Sequence, residues 1–496
     1  MIEMRLADVA AVTGGRLHRA TGEERVTAVE FDTRAIAPGG LFVALAGERV
    51  DGHDFARQAT AAGAVAVLAG REVDAPAVVV PPVPRETGTY LAATDDDGSG
   101  AAVLAALARL AGHAVRGLPA TTVVGVTGSS GKTSTKDLLA AVLAPLGPTV
   151  APPGSFNNEL GLPWTALRAD AATRHLVLEF SARGPGHIAR LAAAVPPRIA
   201  VVLNVGSAHL GEFGSPAAIA AAKGELVEAL PAGVDARSAG ASRGGVAVLN
   251  ADDPAVAAMA GRTSARIATF GLAPDAAVRA EDVELHAGRP RFTLVASGGR
   301  ASVALQLVGE HHVGNALAAA AVALELGGTV DGVAAALGAA VPASRWRMEV
   351  VDRPDGVTVV NDAYNANPES MRAALRALVA LGGERRRTWA VLGRIAELGE
   401  AAAAAHADVA AVAHGLGVDE LVAVGTTDYP GARLTDSVGE ALALLRAELA
   451  PGDVVLVKAS RAAGLERVAA GLLDVGDDAR SAGAPRGAGA AGSVSR

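Results

Sequence analysis

Short apolar runs, broken by glycine turns and alternating with alanine-rich stretches of helical period, recur along the chain until about residue 475. In the first hundred residues the runs Leu41 to Leu45, Ala64 to Ala69 and Ala77 to Val80 read as buried strands of a small α/β domain. From Thr121 the order becomes strand, glycine loop, helix: TTVVGV is β-branched, GSSGK is the loop, and TSTKDLLAAVLAPLG is amphipathic and closed by Gly and Pro. Two further runs, His175 to Phe180 (HLVLEF) and Arg198 to Val205 (RIAVVLNV), alternate with helical segments. That spacing implies a mostly parallel sheet covered on both faces. A third unit begins near residue 343, with strands expected at Val357 to Val360, Trp389 to Leu392, Leu421 to Val424 and Val454 to Val457, and a helix over 400–414. The expected fold class is α/β in three domains. Residues 1–110 form a small α/β N-terminal domain, 111–340 a central P-loop-type domain with helices on both faces of a mostly parallel sheet, and 341–475 a Rossmann-like α/β C-terminal domain. Residues 232–245 and the tail 476–496 lack apolar periodicity and are expected as a surface loop and a disordered tail.

Composition supports that division. A chain of 496 residues exceeds one ordinary domain, and a 50% apolar content with only 3% aromatics suits Ala- and Val-rich helices packed on buried sheets. The absence of cysteine excludes disulfides, thiolate metal sites and cysteine nucleophiles. Glu3 and Asp8 near the start argue against a secretory signal, and no uncharged apolar run is long enough to span a membrane. A cytoplasmic protein without membrane insertion, acting as a monomer, is expected. The formal charge of −8 argues against nucleic-acid binding, so an anionic ligand needs local loops, helix N-termini and individual cations.

The loop TGSSGKTST, Thr127 to Thr135, lies between a predicted strand and a predicted helix, the context in which a glycine-rich loop is informative. Backbone N–H groups of Thr127, Gly128, Ser129, Ser130 and Gly131 can curl round phosphate oxygens. Lys132 can reach the β- and γ-phosphates, Thr133 can offer a hydroxyl to Mg²⁺, and Ser134 opens the helix. Val126 stands where the generic pattern has its first glycine, leaving the shorter GxxGKT core. The competing reading is a plain Gly-Ser turn before a helix.

Ligands of open parallel sheets collect beyond the carboxyl ends of the strands. Glu179 ends the HLVLEF run and His209 follows the RIAVVLNV run by four residues, so both are placed toward the crevice of the phosphate loop. A carboxylate, an imidazole and a hydroxyl suit one or two Mg²⁺ ions bridging a nucleotide and a second anion. Position alone leaves Glu179 equally readable as a strand-end charge and His209 as a loop histidine. Lys223, in SPAAIAAAKGELVEAL, reads first as part of a solvated helix face.

These residues resemble the Mur ligase family over the whole chain up to about residue 475. TGSSGKTST resembles its TGxxGKT[ST] loop, YNANPES at Tyr364 to Ser370 and FNNELGLP at Phe156 to Pro163 resemble markers of its D-alanyl-D-alanine-adding branch, and VLVKASRAAGLERV is similar near the C-terminus. FDTRAIAPGGLFVALAGERVDGHDFA at Phe31 to Ala56 resembles the segment that holds a uridine nucleotide. The resemblance implies an ATP-dependent ligase that activates the carboxylate of a UDP-N-acetylmuramoyl-tripeptide as an acyl phosphate and joins it to D-alanyl-D-alanine, with ATP and two Mg²⁺ ions. It implies that Lys223 is carbamoylated and supports metal, that Glu179, His209 and Thr133 hold metal, and that Lys132 acts on the transferred phosphate. Asn315, Arg347 and Asp362 match ATP-contacting positions, with Arg347 closing over the phosphates when the domains close. Thr33, Arg34, Asp51 and His53 in the first domain, and Asn157, Asn158, Tyr364, Asn365 and Asn367 in the markers, are the implied substrate contacts.

Three residues depart from the family pattern. Ser181 stands where a glycine usually follows the metal-binding Glu, Arg394 where a carboxylate is usual, and His312 where an amide lies beside the adenine site. None of them removes Lys132, Glu179, His209 or Lys223. The alternatives are a folylpolyglutamate-type amide ligase, a P-loop phosphotransferase and a non-catalytic precursor-binding protein. YNANP and the uridine-type first segment oppose the first, the incomplete glycine pattern opposes the second, and the intact loop and metal positions oppose the third.

Overall fold

The computed structural model describes residues 1–474 apart from 48–49, 85–90, 92–94, 96, 207–209 and 233–243. His209, the expected tail and most of the expected 232–245 loop lie outside the described residues.

Three sheets of four or more strands organise the described residues. The first is five-stranded, in the order Arg16–His18, Ala77–Val79, Ala64–Ala69, Gly40–Val43, Ala28–Glu30, parallel except for its first pair. Its three central strands are the three apolar runs expected from sequence, shortened or shifted by a residue or two at the ends. The helix Ser99–Arg116 runs across residue 110 and buries Val103, Leu107 and Leu110 in a core shared by the first and central units.

The central sheet has nine strands. Thr149–Val150, His175–Glu179, Thr122–Thr127, Ile199–Val202, Val246–Asn250 and Arg266–Gly271 follow one another in parallel. Val278–His286 continues in parallel, and Arg289–Ala296 and Gly299–Ala304 then add an antiparallel meander that the sequence reading did not anticipate. Its polar and apolar positions alternate in long strands joined by tight turns, the pattern of a sheet with one solvated face. Helices on both faces are required by the alternation of buried side chains: Val123, Leu176 and Leu178 enter one core, Val124, Val126 and Val177 the other.

The third sheet runs Glu349–Asp352, Thr358–Asn361, Val454–Lys458, Thr388–Leu392, Glu420–Val424, Arg433–Thr435 and is parallel apart from its first pair. Helices Pro368–Gly382 and Ala402–Gly415 pack on one face, Val438–Glu448 and Glu466–Leu473 on the other. This is the Rossmann-like arrangement expected. No helix among the described residues is long and apolar enough to cross a membrane.

The helix Pro216–Glu228 corrects one reading of the sequence. Ser215 caps it by accepting from Ala218 N, and Ile219, Ala222, Lys223, Leu226 and Val227 are buried along it. Those positions follow the 3, 4 spacing of a core-facing stripe, so Lys223 projects with the apolar side chains and is 6% exposed. The solvated-face reading counted Lys223 as an interruption of the stripe, whereas it is a member of it. Arg262 braces the same helix by donating to the carbonyls of Ala220 and Ala221 and to Glu228. A β-carbon on Gly224 would lie 1.8 Å from Arg262 Nη1. An alanine inside a helix ordinarily gains about 1 kcal/mol over glycine. Gly224→Ala is expected to do the reverse, lowering stability by about 1 kcal/mol as Arg262 gives up its carbonyls at about 1 kcal/mol each; urea unfolding with an unchanged slope checks the sign.

Candidate active site

The phosphate loop is shaped by its neighbours on the sheet. Thr127 ends its strand with its hydroxyl donating to Phe180 O at 2.9 Å, and Gly131 turns into the helix Lys132–Leu143 at a φ of 82°. Only glycine takes that conformation cheaply, and a β-carbon there would sit 2.5 Å from Asn315 Oδ1. Asn204, just past the strand Ile199–Val202, latches the loop: its carbonyl accepts from Ser129 N at 3.1 Å, its Oδ1 from Ser130 N at 3.0 Å, and its Nδ2 donates to Ser130 O at 3.2 Å. Ser129 Oγ accepts from Gly206 N at 2.8 Å. No side chain caps the helix that starts at Lys132, so its first-turn N–H groups are free to face an anion.

Beside the loop lies a buried carboxylate. Glu179 pairs in register with Val126 of the loop strand and is fully buried. Its Oε2 accepts from Thr133 Oγ1, Ser155 Oγ and Asn157 Nδ2, each at 3.3 Å. Its Oε1 is buried and has no hydrogen-bond partner among the described residues. An anionic oxygen in that condition is costly unless a cation takes it. Lys132 bends back to donate to Gly128 O at 2.6 Å, and burial lowers its pKa to about 8, against the opposing pull of Glu179 and with a further push down from Arg347. Burial also holds Lys223 well below the ordinary lysine range, with Lys132 adding to the effect. Lys223 has no hydrogen bond or ion pair among the described residues.

The C-terminal unit faces this cluster across a cavity of about 420 Å³ lined by Ser129 to Ser134, Asn157, Asn158, Asn315, Arg347, Asp362 and Tyr364 to Asn367. Arg347 donates to Thr133 Oγ1 at 3.2 Å and stacks 4.1 Å from the Tyr364 ring centre. Asn367 caps the helix Pro368–Gly382 through Ser370 N and donates to Ser129 O at 3.3 Å. The central and C-terminal units therefore already meet at the loop, and Arg347 has reached it without further closure. Lys136 and Asp137, one turn beyond Thr133, hold the connecting segment: Lys136 Nζ donates to Ser344 Oγ at 3.2 Å, and Asp137 Oδ2 accepts from Ser344 N at 3.1 Å.

The other expected residues divide into two groups. Asn315 accepts from Thr135 Oγ1 at 3.2 Å beside the loop, and His312 contacts it through Nδ1 at 3.3 Å while its buried Nε2 has no partner among the described residues. Burial and the adjoining His311 push the His312 pKa well down, so this ring is neutral. Asp362 is spent on protein contacts, accepting from Met348 N at 3.1 Å and from Lys458 Nζ at 2.6 Å. Asn365 gives its carbonyl to Lys458 at 2.9 Å, and Asn158 accepts from Gly161 N at 2.9 Å as a local turn. Ser181, on the cavity wall, donates its N–H to Asn157 O at 3.1 Å, and Arg394 is exposed.

In the first unit, Asp51 accepts from His53 N at 2.9 Å and contacts His53 Nδ1 at 2.6 Å, while His53 Nε2 accepts from Gly70 N at 3.2 Å. The ring is thereby fixed with its proton on Nδ1 and is nearly covered. Arg34 is exposed and bonded to Asp32, next to the half-buried Thr33. The first and central units join through Phe31, Phe156 and Trp164, with ring centres 4.7 to 6.1 Å apart, and through Trp164 Nε1 donating to Glu30 at 3.2 Å. Asn204 and Ser155 were missed by the sequence reading. Asn204 carried a usable signal, a polar side chain directly after a buried strand at the carboxyl edge.

Three family descriptions match successive segments: "Mur ligase family, catalytic domain" over residues 25–114, "Mur ligase middle domain" over 126–323, and "Mur ligase, glutamate ligase domain" over 346–461. The chain is 53% identical, over 95% of its length and 98% of the relative's, to a Mycobacterium tuberculosis protein named UDP-N-acetylmuramoyl-tripeptide--D-alanyl-D-alanine ligase. It is 34% identical to the Escherichia coli protein of that name, over 96% and 100% of the two chains. Its fold is similar to a crystal structure of MurF from Acinetobacter baumannii, with a TM-score of 0.79 at 29% identity over 95% and 99% of the chains. It is also similar to MurF ligase from Thermotoga maritima in complex with ADP, with a TM-score of 0.71 at 30% identity over 89% and 96%.

The pKa of Lys132 gives a measurable consequence. Folding lowers it from 10.5 to about 8, so between those values the unfolded chain holds a proton that the folded protein has lost. Stability therefore rises with pH across that window, and below it the cost of the buried charge is constant. A bound phosphate restores an opposite charge and raises the pKa again. Nucleotide binding at about pH 9 is expected to take up a proton, seen calorimetrically as a dependence of the binding heat on buffer ionisation enthalpy; Lys132→Met should remove most of it.

Proposed function

This chain belongs to the Mur ligase family, and from that membership we propose that it joins D-alanyl-D-alanine to UDP-N-acetylmuramoyl-tripeptide at the expense of ATP, giving the pentapeptide precursor of peptidoglycan. The observation that carries this reading is the convergence of the phosphate loop and Arg347 on one cavity whose far wall is Tyr364 to Asn367, with the buried Glu179 bonded to Thr133 just behind the loop.

A carboxylate does not acylate an amine at neutral pH because its oxygen is a poor leaving group. The ligase overcomes this by transferring the γ-phosphoryl group of ATP to the tripeptide carboxylate, forming an acyl phosphate and ADP. The amine of D-alanyl-D-alanine then adds to the acyl carbon, and the tetrahedral intermediate expels phosphate as the amide forms. The protein's share is positioning and electrostatics. The free N–H groups at the start of the Lys132 helix cradle phosphate oxygens, Lys132 swings from Gly128 O to the β- and γ-phosphates, and Arg347 stabilises charge on the group in transit. Asn367 and Asn204 hold the loop from opposite sides. No side chain is needed as a nucleophile.

Mg²⁺, when bound, neutralises charge shared by two anions that otherwise repel. The residues present fit it: the unpartnered Oε1 of Glu179 and the Thr133 hydroxyl are oxygen donors of the kind it takes. His209 is assigned to the same set, and two ions are proposed. Lys223 fits carbamoylation, in which the neutral amine attacks carbon dioxide, loses a proton and becomes an anion. Burial that keeps this amine uncharged supports the first step. The same proposal assigns residues 1–110 to the uridine nucleotide, with Thr33, Arg34 and Asp51 at its edge, 111–340 to ATP, and 341–475 to closing the site, with Tyr364 and Asn365 beside the incoming dipeptide. It also places the enzyme in the cytoplasm as a monomer.

Incubation of the purified protein with ATP, Mg²⁺, D-alanyl-D-alanine and uridine tripeptides bearing either diaminopimelate or lysine should give one product heavier than its tripeptide by a dehydrated D-alanyl-D-alanine; ADP release independent of the dipeptide would refute the assignment. Lys132→Ala should lower ADP formation by at least ~100-fold, while equilibrium binding of the uridine nucleotide stays within about twofold. Mass spectrometry of the intact protein after trapping with a methylating agent should find the carbamate on Lys223, and only unmodified lysine under bicarbonate would exclude it.

A further inference from the structure

Arg347 is carried on a backbone segment of unusual shape. Trp346 and Met348, on either side of it, have φ of 60° and 49°. Bulky side chains rarely adopt positive φ, and such strain persists only where the surroundings over-determine it. Four backbone contacts do so here. Glu349 accepts from Trp346 N at 3.1 Å, and Trp346 O accepts from Tyr364 N at 3.3 Å. Asp362 Oδ1 accepts from Met348 N at 3.1 Å, and Asp362 N donates to Val457 O at 2.9 Å. The Arg461 guanidinium lies 4.2 Å from the Trp346 ring centre. Behind Asp362 stands Lys458, 2% exposed at the end of the strand Val454–Lys458. Its ammonium donates to Asp362 Oδ2 at 2.6 Å and to Asn365 O at 2.9 Å.

We propose that Lys458 is a positioning residue for the reaction: by bonding Asp362 and the Asn365 carbonyl together, it locks the strained Trp346–Met348 turn onto the 362–367 loop and so aims Arg347 at the phosphate loop. The ammonium suits this task because it presents several donors from one point, matching a carboxylate and a carbonyl that diverge. Without it the turn relaxes toward negative φ and the guanidinium leaves Thr133, although Lys458, which lines the same cavity, spends its hydrogen bonds on Asp362 and Asn365. The inference rests on the role given to Arg347 under Proposed function.

The test is a double-mutant cycle on the full chain with ATP, uridine tripeptide and D-alanyl-D-alanine. Lys458→Met, which keeps most of the volume, should lower kcat by about tenfold or more, with KM for the dipeptide changing less than about threefold. Combined with Arg347→Ala it should be no slower than Arg347→Ala alone, because an arginine that is absent cannot be misaimed. Full turnover in Lys458→Met, or losses that multiply in the double variant, would overturn the proposal. Should Lys458→Met fail to fold, Glu349→Ala removes the acceptor for Trp346 N and must show the same non-additivity with Arg347→Ala; multiplying losses there overturn it equally. The wild-type protein serves as the control that separates the two readings, since a wild type that forms no amide defeats the proposed function, whereas an active wild type with an equally active Lys458→Met defeats only the positioning role.

Discussion

The structure turns on charge held out of water at the carboxyl edge of the central sheet. Glu179 is fully buried with one oxygen shared among three donors and the other without a partner among the described residues, and two lysines nearby are desolvated enough to lose their ordinary basicity. Each feature costs stability if the site is meant only to hold the fold together. Together they suit a site that takes phosphate, and they support the proposal that divalent cations bind beside it.

Holding such a site requires support from every direction, and the three units supply it differently. The sheet places Glu179 beside the loop strand by register, and Asn204 latches the loop from the next strand over. The aromatic joint of Phe31, Phe156 and Trp164 connects the first unit to Asn157, the residue after Phe156, which bonds Glu179. From the third unit come Arg347 and Asn367, with Ser344 clasped by the Lys136–Asp137 pair of the phosphate-loop helix itself. A movement of the third unit is therefore felt on both sides of Thr133.

Much of this was legible in the chain before any coordinates. The buried strands announced themselves as short β-branched runs between glycines, and their ends fell within a residue or three of expectation because packing on both faces leaves no freedom of register. Thr149–Val150, Val246–Asn250, Arg266–Gly271 and the meander that follows were not among the expected strands; those of the meander are half-solvated and lack the continuous apolar run that marked the strands that were expected. Lys223 shows the opposite failure, since a lone lysine among alanines looks like surface until the helical spacing of Ile219, Ala222, Leu226 and Val227 is laid against it. The loop and Glu179 could be placed by motif and sheet topology and Arg347 by resemblance, but the double strain at Trp346 and Met348 could not, because neither residue type hints at positive φ. Asp51 and His53 came from resemblance, and what the structure adds is their mutual hydrogen bonds.

The position of the triphosphate decides whether the 128–133 turn is the phosphate site. A crystal of the protein soaked with a non-hydrolysable ATP analogue and Mg²⁺ should show the β- and γ-phosphates wrapped by the 128–133 turn, Lys132 released from Gly128 O, and a cation on Glu179 Oε1. A triphosphate bound elsewhere, with Lys132 still on Gly128 O and that carboxylate oxygen still bare, would contradict it.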